Sequence, residues 1–446
     1  MTALLRILPD VPPTPAPGHP DLHLFETGHG AHVLFVDGSR IYDLDEDLRQ
    51  MVAGALDAEP GVALAMLAAH GLQPRRYIDD TPIASPPLRA LSLAVAQKCN
   101  LACSYCYAEG GSFGNEPRNM PWEVAEAAVR RLIAGASPGE RVNLAFMGGE
   151  PLLNRTTIRR ATELAAGLAA AADVKAGFSV TTNGTLVSAD DAAFFEQHAF
   201  AVTISLDGVG DVHDRLRPMK GGRGSYGRIL ENLGPLLACA MRMQVTARVT
   251  VTPRNLDLRT TLDEFIRLGF HSVGFAPMLA SPGGRDQTGE HDLSVLLKEM
   301  IACGRVFEAH AVAGQPYPFS NMMSALTEIH RGTHRPYPCG AGAGYMGVSA
   351  DGELAACHRF VADAIGTMGS LDHGVDLTRQ NRWLAERHVH RQEPCRSCWA
   401  RYLCGGGCHH EVIRRGRPAC EFIRGWLDYC LGAYVRIAEA RPEYFA

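Results

Sequence analysis

The chain has 446 residues, 46% hydrophobic and 20% charged, with a formal net charge of −5. That composition fits a globular enzyme of about three domain-sized units, and the mild acidity argues against nucleic acid or a membrane surface as partner. No run of ~18 apolar residues predicts a membrane span, and "MTALLRILPDVPPTPAPGHP" lacks the apolar core and cleavage site of an export signal, so a cytoplasmic location is expected. Thirteen cysteines in such a chain read as metal ligands or catalytic groups rather than disulfides.

Residues 1–20 are proline-rich and are expected to be a disordered tail. Three extended runs follow, "LHLF", "HVLFV" and "RIYDLD", then two amphipathic helical stretches, "EDLRQMVAGAL" and "GVALAMLAAHGL". Together they predict a small α+β module over 21–85, ending in the linker-like "DDTPIASPP".

From residue 86 to 315 the pattern alternates. Apolar β-branched runs at 91–96, 142–149, 177–184, 201–208, 244–253 and 272–279 are separated by helical stretches such as "PWEVAEAAVRRLIAG" and "TTIRRATELAAGLAAAA". Six alternations predict a parallel sheet with crossover helices, either doubly wound or an open barrel of six βα units. The polar motifs "GGE", "TTNG" and "SLDG" fall at strand C-termini, the functional face of both architectures. Residues 316–446 are Gly- and Cys-rich. "GYMGVSADGELAACH" reads as a hairpin with an Asp-Gly turn. The remainder has little periodicity and would rely on metal staples.

The cysteines are unevenly spread. Cys239 and Cys303 lie alone in apolar helical contexts and read as core. Cys99, Cys103 and Cys106 form C-x3-C-x2-C in "KCNLACSYCYAEGG". A structural zinc site there would need a fourth Cys or His, and the following "YAEGGSFGNEP" supplies none. Three thiolates on one loop suit a [4Fe–4S] cluster with one iron left open.

That loop, followed by "GGEPLLN", "TTNG", "SLDG" and "HDRLR" in order, resembles the radical S-adenosylmethionine (radical SAM) superfamily. The resemblance implies a partial (β/α)6 TIM-type barrel. It assigns Gly148, Gly149, Glu150, Asn183 and Asp207 to the cofactor site, Ser205 to the ribose, Tyr105 to the adenine and Arg217 to the methionine carboxylate.

Eight later cysteines supply two four-ligand sites, and two all-cysteine zinc sites would fit the count equally well. Their spacing resembles the SPASM extension of peptide-modifying radical SAM enzymes, which carries two auxiliary [4Fe–4S] clusters. By that resemblance Cys339, Cys357 and Cys408 belong to the first, and Cys395, Cys398, Cys404 and Cys420 to the second. Cys430 either completes the first cluster or leaves it open. The N-terminal module resembles the leader-peptide recognition element of peptide maturases, which adds a peptide strand to a sheet edge; a plain structural cap is the alternative.

Within the SPASM relatives, sulfatase maturases carry an aspartate base just after the cysteine matching Cys357. Here that residue is His358, a candidate base or a structural histidine. "CHRF", "CGGGCHHE" and "CEFIRGWLDYC" look closer to quinohemoprotein amine dehydrogenase maturation enzymes, which form thioethers, and to cyclophane-forming maturases. The implied activity is crosslinking of a peptide or small protein with a leader by way of a 5′-deoxyadenosyl radical. It would use three [4Fe–4S] clusters, SAM and an electron donor such as flavodoxin or ferredoxin. Sulfatase-type oxidation of a Cys or Ser side chain, or a zinc-stapled non-enzymatic protein, are the other readings.

Overall fold

The computed structural model describes residues 21–58, 60–74, 81–332 and 335–446; the expected tail, 1–20, lies outside them. Three short strands, β1 (Leu22–Thr27), β2 (Gly30–Phe35) and β3 (Arg40–Leu44), form an antiparallel sheet in the order β1-β2-β3. Helices α1 (Glu46–Ala58) and α2 (Pro60–Ala69) follow. Val33, Phe35 and Leu44 pack with Leu48, Val52 and Leu67 into a small separate core. Phe25, Leu34 and Val36 join the main core instead, so the sheet is apolar on both faces. Among the described residues the outer edge of β3 has no strand partner.

The larger sheet is built from β4 (Ala90–Gln97), β6 (Arg141–Gly148), β7 (Lys175–Thr182), β8 (Ala201–Ser205), β9 (Gln244–Val251) and β10 (Ser272–Pro277), all parallel, with the two-residue β5 (Arg118–Asn119) beside β4. Strand order follows chain order without reversal. A doubly wound sheet needs a reversal. Right-handed crossovers in one direction put every helix on one face, so the sheet curls into a partial barrel. The crossovers are α3 (Trp122–Ala134), α4 (Arg155–Ala171), α5 (Ala189–Gln197), α6 (Asp211–Leu216) with α7 (Tyr226–Ala238), and α8 (Leu258–Arg267); α9 (Glu290–Val312) and α10 (Ser320–Arg331) follow. The expected strands form with ends shifted by one to three residues, because the glycine- and asparagine-containing motifs leave the sheet.

Burial alternates along the strands. In β9, Val245, Ala247, Val249 and Val251 are buried, while Thr246, Arg248 and Thr250 are on the opposite, lumen face. Outside β4 most lumen-facing residues are small or polar.

The C-terminal region extends this sheet. The hairpin of β11 (Tyr345–Val348) and β12 (Glu353–Ala355) turns at Asp351–Gly352, and β11 pairs in parallel with β4. β13 (Thr367–Ser370) and β14 (Gly374–Val375) complete it. Helices α11 (Leu377–Arg387), α12 (Arg401–Cys404), α13 (His409–Arg415) and α14 (Cys420–Ala440) follow. The N-terminal module docks on this region: His23 stacks on Trp399 with ring centroids 3.7 Å apart and bonds Asp428 at 2.7 Å, and Arg401 pairs with Asp21 at 2.7 Å. Among the described residues no helix is long and apolar enough to cross a membrane.

Candidate active site

The cysteine loop leaves β4 and is pinned to the segment after α6. Ala102 N–H donates to the Pro218 carbonyl at 2.8 Å, Lys220 N–H to the Asn100 carbonyl at 2.9 Å, and Leu101 bridges Met219. This contact puts Arg217 beside Tyr105, whose hydroxyl accepts from Arg217 Nη1 at 2.7 Å. Arg217 Nη1 also reaches Asp207 Oδ2 at 3.3 Å, and its Nε is buried without a partner. Asp207 is itself held by Thr250 N–H at 2.7 Å.

Behind the loop the "GGE" turn packs at backbone distance. A Cβ on Gly148 would lie 2.3 Å from the Ala96 carbonyl oxygen, and one on Gly149 would lie 2.3 Å from the Lys98 oxygen and 2.7 Å from Gly111 Cα. The glycines are required because backbone cannot retreat. Glu150 is fully buried and accepts from Leu152 N–H at 3.0 Å, Thr182 Oγ1 at 2.7 Å and Asn183 N–H at 2.7 Å. Asn183 donates to Asn100 Oδ1 at 2.9 Å and accepts from Thr185. The side chains of Glu150, Asn183 and Asp207 are thus committed to holding the strand ends, and Ser205 stands half-buried at the end of β8.

His213 supports the same corner. Its Nδ1 accepts from Asp207 N–H at 3.1 Å, which leaves the proton on Nε2, facing Ser225 Oγ at 3.1 Å. Burial, then Arg217, lowers its pKa to about 3. A lowered histidine favours the fold fully above its unfolded value near 6.5. That stability is lost as pH falls from there toward 3, at about 1.4 kcal/mol per unit. Urea midpoints at pH 7.5 and 5.5 should therefore differ more for the native chain than for His213→Gln; equal differences would refute the assignment.

All thirteen cysteines are free. Cys99, Cys103 and Cys106 lie within one another's electrostatic reach, and burial pushes Cys103 up to about 12. Cys339, Cys357 and Cys408 form a second such group. Cys395, Cys398, Cys404 and Cys420 form a third and line one cavity of about 230 Å³. Among the described residues no three His, Cys, Asp or Glu side chains have the arrangement that holds a single metal ion. The donor sets fit polynuclear clusters: each is a group of soft thiols, and the first stands beside a glycine turn that leaves room for a ligand.

Of the two alternatives for Cys430, its position favours the open one. It is fully buried in α14 with Sγ 3.9 Å from Met322 Sδ, and the charges that reach it are Glu308 and Asp428, not cysteines. The helix turns it into the α10 contact, so it is core, and the second group holds three thiols. Cys303 is buried and Cys239 half-buried, both within helical packing.

A cleft of about 530 Å³ is lined by Tyr107, which follows Cys106, and by Arg359 and His410, two residues past Cys357 and Cys408. Arg359 pairs with Glu411 at 2.7 Å, lies 3.8 Å from Cys408 Sγ, and sits 5.3 Å over the Tyr107 ring. His358 lies outside this lining. Its Nδ1 shares a hydrogen bond with Tyr345 Oη at 2.8 Å, and burial, then Arg359, lowers its pKa to about 4. The sequence reading missed Tyr107, Arg359 and Asn100; "CHRF" carried the one usable signal, a charge beside a ligand-type cysteine.

A parallel partial barrel with a three-cysteine loop at its C-terminal mouth defines a radical SAM enzyme. The Radical SAM superfamily model matches residues 93–257, so the chain carries a radical SAM domain; radical SAM enzymes bind SAM and a [4Fe–4S] cluster. The chain is 25% identical over 368 residues to the serine-type anaerobic sulfatase-maturating enzyme of Klebsiella aerogenes, covering 78% of this chain and 86% of that one. It is 31% identical over 203 residues to the cysteine-type enzyme of Clostridium novyi, covering 43% and 52%. In fold it is similar to native anSMEcpe with bound AdoMet (TM-score 0.64, 19% identity, 80% of this chain and 100% of that one). It is also similar to Streptococcus suis SuiB bound to precursor peptide SuiA (TM-score 0.52, 15% identity, 90% and 97%).

Proposed function

We propose that this chain is a peptide maturase that forms an intrapeptide crosslink, a thioether or a carbon–carbon cyclophane. The observation that carries this reading is the cleft lined by Tyr107, Arg359 and His410, residues that follow Cys106, Cys357 and Cys408 by one or two positions. A substrate there would lie beside Tyr107 of the cysteine loop and beside Arg359, which reaches Cys408 Sγ at 3.8 Å. Relatives that include a structure with a bound precursor peptide support it.

Cys99, Cys103 and Cys106 would hold the SAM-binding cluster, Cys339, Cys357 and Cys408 an open auxiliary cluster, and Cys395, Cys398, Cys404 and Cys420 a closed one. When bound, SAM and its cluster supply one-electron cleavage and hydrogen-atom abstraction. The chain's own part is positional. Arg217 and Tyr105 orient a ligand at the loop, and the glycine turn lets it approach the backbone. Arg359 and Tyr107 shape the cleft, and the outer edge of β3 would offer a strand to a leader peptide.

His358 bonds Tyr345 through Nδ1 and is not among the residues lining the cleft, which weighs against a sulfatase-type mechanism built on the residue after Cys357. The sulfatase-maturing relatives keep side-chain oxidation as the second reading. Co-expression with a short peptide encoded nearby, followed by mass spectrometry, separates the two. A loss of two hydrogens with fragmentation blocked between two residues indicates a crosslink. An aldehyde trapped by a hydrazide probe indicates oxidation and overturns the proposal.

A further inference from the structure

Arg248 lies in the middle of β9, opposite Ser205 of β8 and Gly274 of β10. Its strand neighbours Ala247 and Val249 are buried beneath the helices, so its side chain points into the lumen. The missing side chain at Gly274 leaves room: a Cβ there would lie 3.7 Å from Arg248 Nη1.

No hydrogen bond or ion pair holds this guanidinium among the described residues, although its surface is open to the lumen. Arg217 has Asp207 and Tyr105, and Glu411, the acid within reach, is spent on Arg359. Burial lowers the Arg248 pKa, Glu411 opposes that, and Arg359 adds to it. A cation so placed is short of an anion. The guanidinium fork matches a carboxylate in two parallel hydrogen bonds, and the hydroxyls of Thr246, Thr250 and Ser205 share its face.

We infer that Arg248 is a carboxylate-binding residue of the barrel lumen, pairing with a ligand carboxylate that comes either from SAM or from an acidic side chain of the peptide. The inference rests on the peptide-maturase reading only for the second source.

The test uses the reconstituted holoenzyme. Phenylglyoxal labelling of Arg248 is followed by mass spectrometry with SAM, with decarboxylated SAM, and with glutarate as the isolated side-chain carboxylate. Protection by SAM but not by its decarboxylated form assigns the first source; protection by glutarate with SAM already bound assigns the second. Arg248→Gln should weaken the protecting ligand about tenfold to a hundredfold, with partial recovery in Arg248→Lys. Arg254→Gln, which removes a cation paired with Asp286 at 2.8 Å, should change nothing. Equal labelling under all three additions, or unchanged binding in Arg248→Gln, overturns the inference. Formation of 5′-deoxyadenosine reports separately on the enzyme class.

Discussion

Cys103→Ala is expected to lose the SAM-cleaving iron entirely while keeping the iron of the C-terminal region. The three thiols of the first loop are partly buried, and burial pushes Cys103 up to about 12, with Arg217 as the main opposing charge. Such a thiol is a poor anion alone and a good ligand to iron. With Cys103 gone, two thiolates remain, and no nearby histidine or cysteine replaces the third. Iron analysis should fall by one cluster per chain, and 5′-deoxyadenosine formation should fall to the level without enzyme. Cys408→Ala is the complement: it should remove auxiliary iron and leave SAM cleavage without peptide intact. Cys430→Ala should keep every iron and cost about 1 kcal/mol of stability through a small cavity between α10 and α14. A Cys430→Ala protein short of one cluster would restore the four-thiol second site and refute the core assignment.

Legibility in the sequence followed range. The strands, their crossover helices and the motifs at their ends were readable because each is local: periodicity, an Asp-Gly turn, a cysteine spacing. The barrel also follows from chain order, but only once the sheet shows no reversal. What was not readable depends on distant pairing. Nothing in "GYMGV" announces that β11 will lie against β4, and nothing in "HDRLR" announces that the residues after it will pin the cysteine loop. Glu150, Asn183 and Asp207 were found for their motifs, yet each also bonds a partner within the protein 32 or more residues away, Thr182 and Asn183 for Glu150, Asn100 for Asn183 and Thr250 for Asp207. Arg248 had a signal that went unused, a lone charge in the middle of "VTARVTV".

The same long-range bonds set the second large effect. Glu150→Ala is expected to destabilise the protein by about 3–5 kcal/mol and abolish SAM binding together. The carboxylate joins the end of β6 to the end of β7, accepting the Thr182 hydroxyl and the Asn183 N–H while also capping the turn at Leu152. Removing it leaves three donors without their acceptor, at about 1–3 kcal/mol each when taken singly, and such losses in one network do not simply add. Asn183 would then lose its anchor, and with it the bond to Asn100 that braces the cysteine loop. Glu150→Gln separates packing from acceptor count. One oxygen can still serve Leu152 and Thr182, but an amide nitrogen would face the Asn183 N–H, so its denaturation midpoint should fall between native and alanine. If Glu150→Ala bound SAM normally at full stability, the strand-end brace assigned to this carboxylate would be wrong.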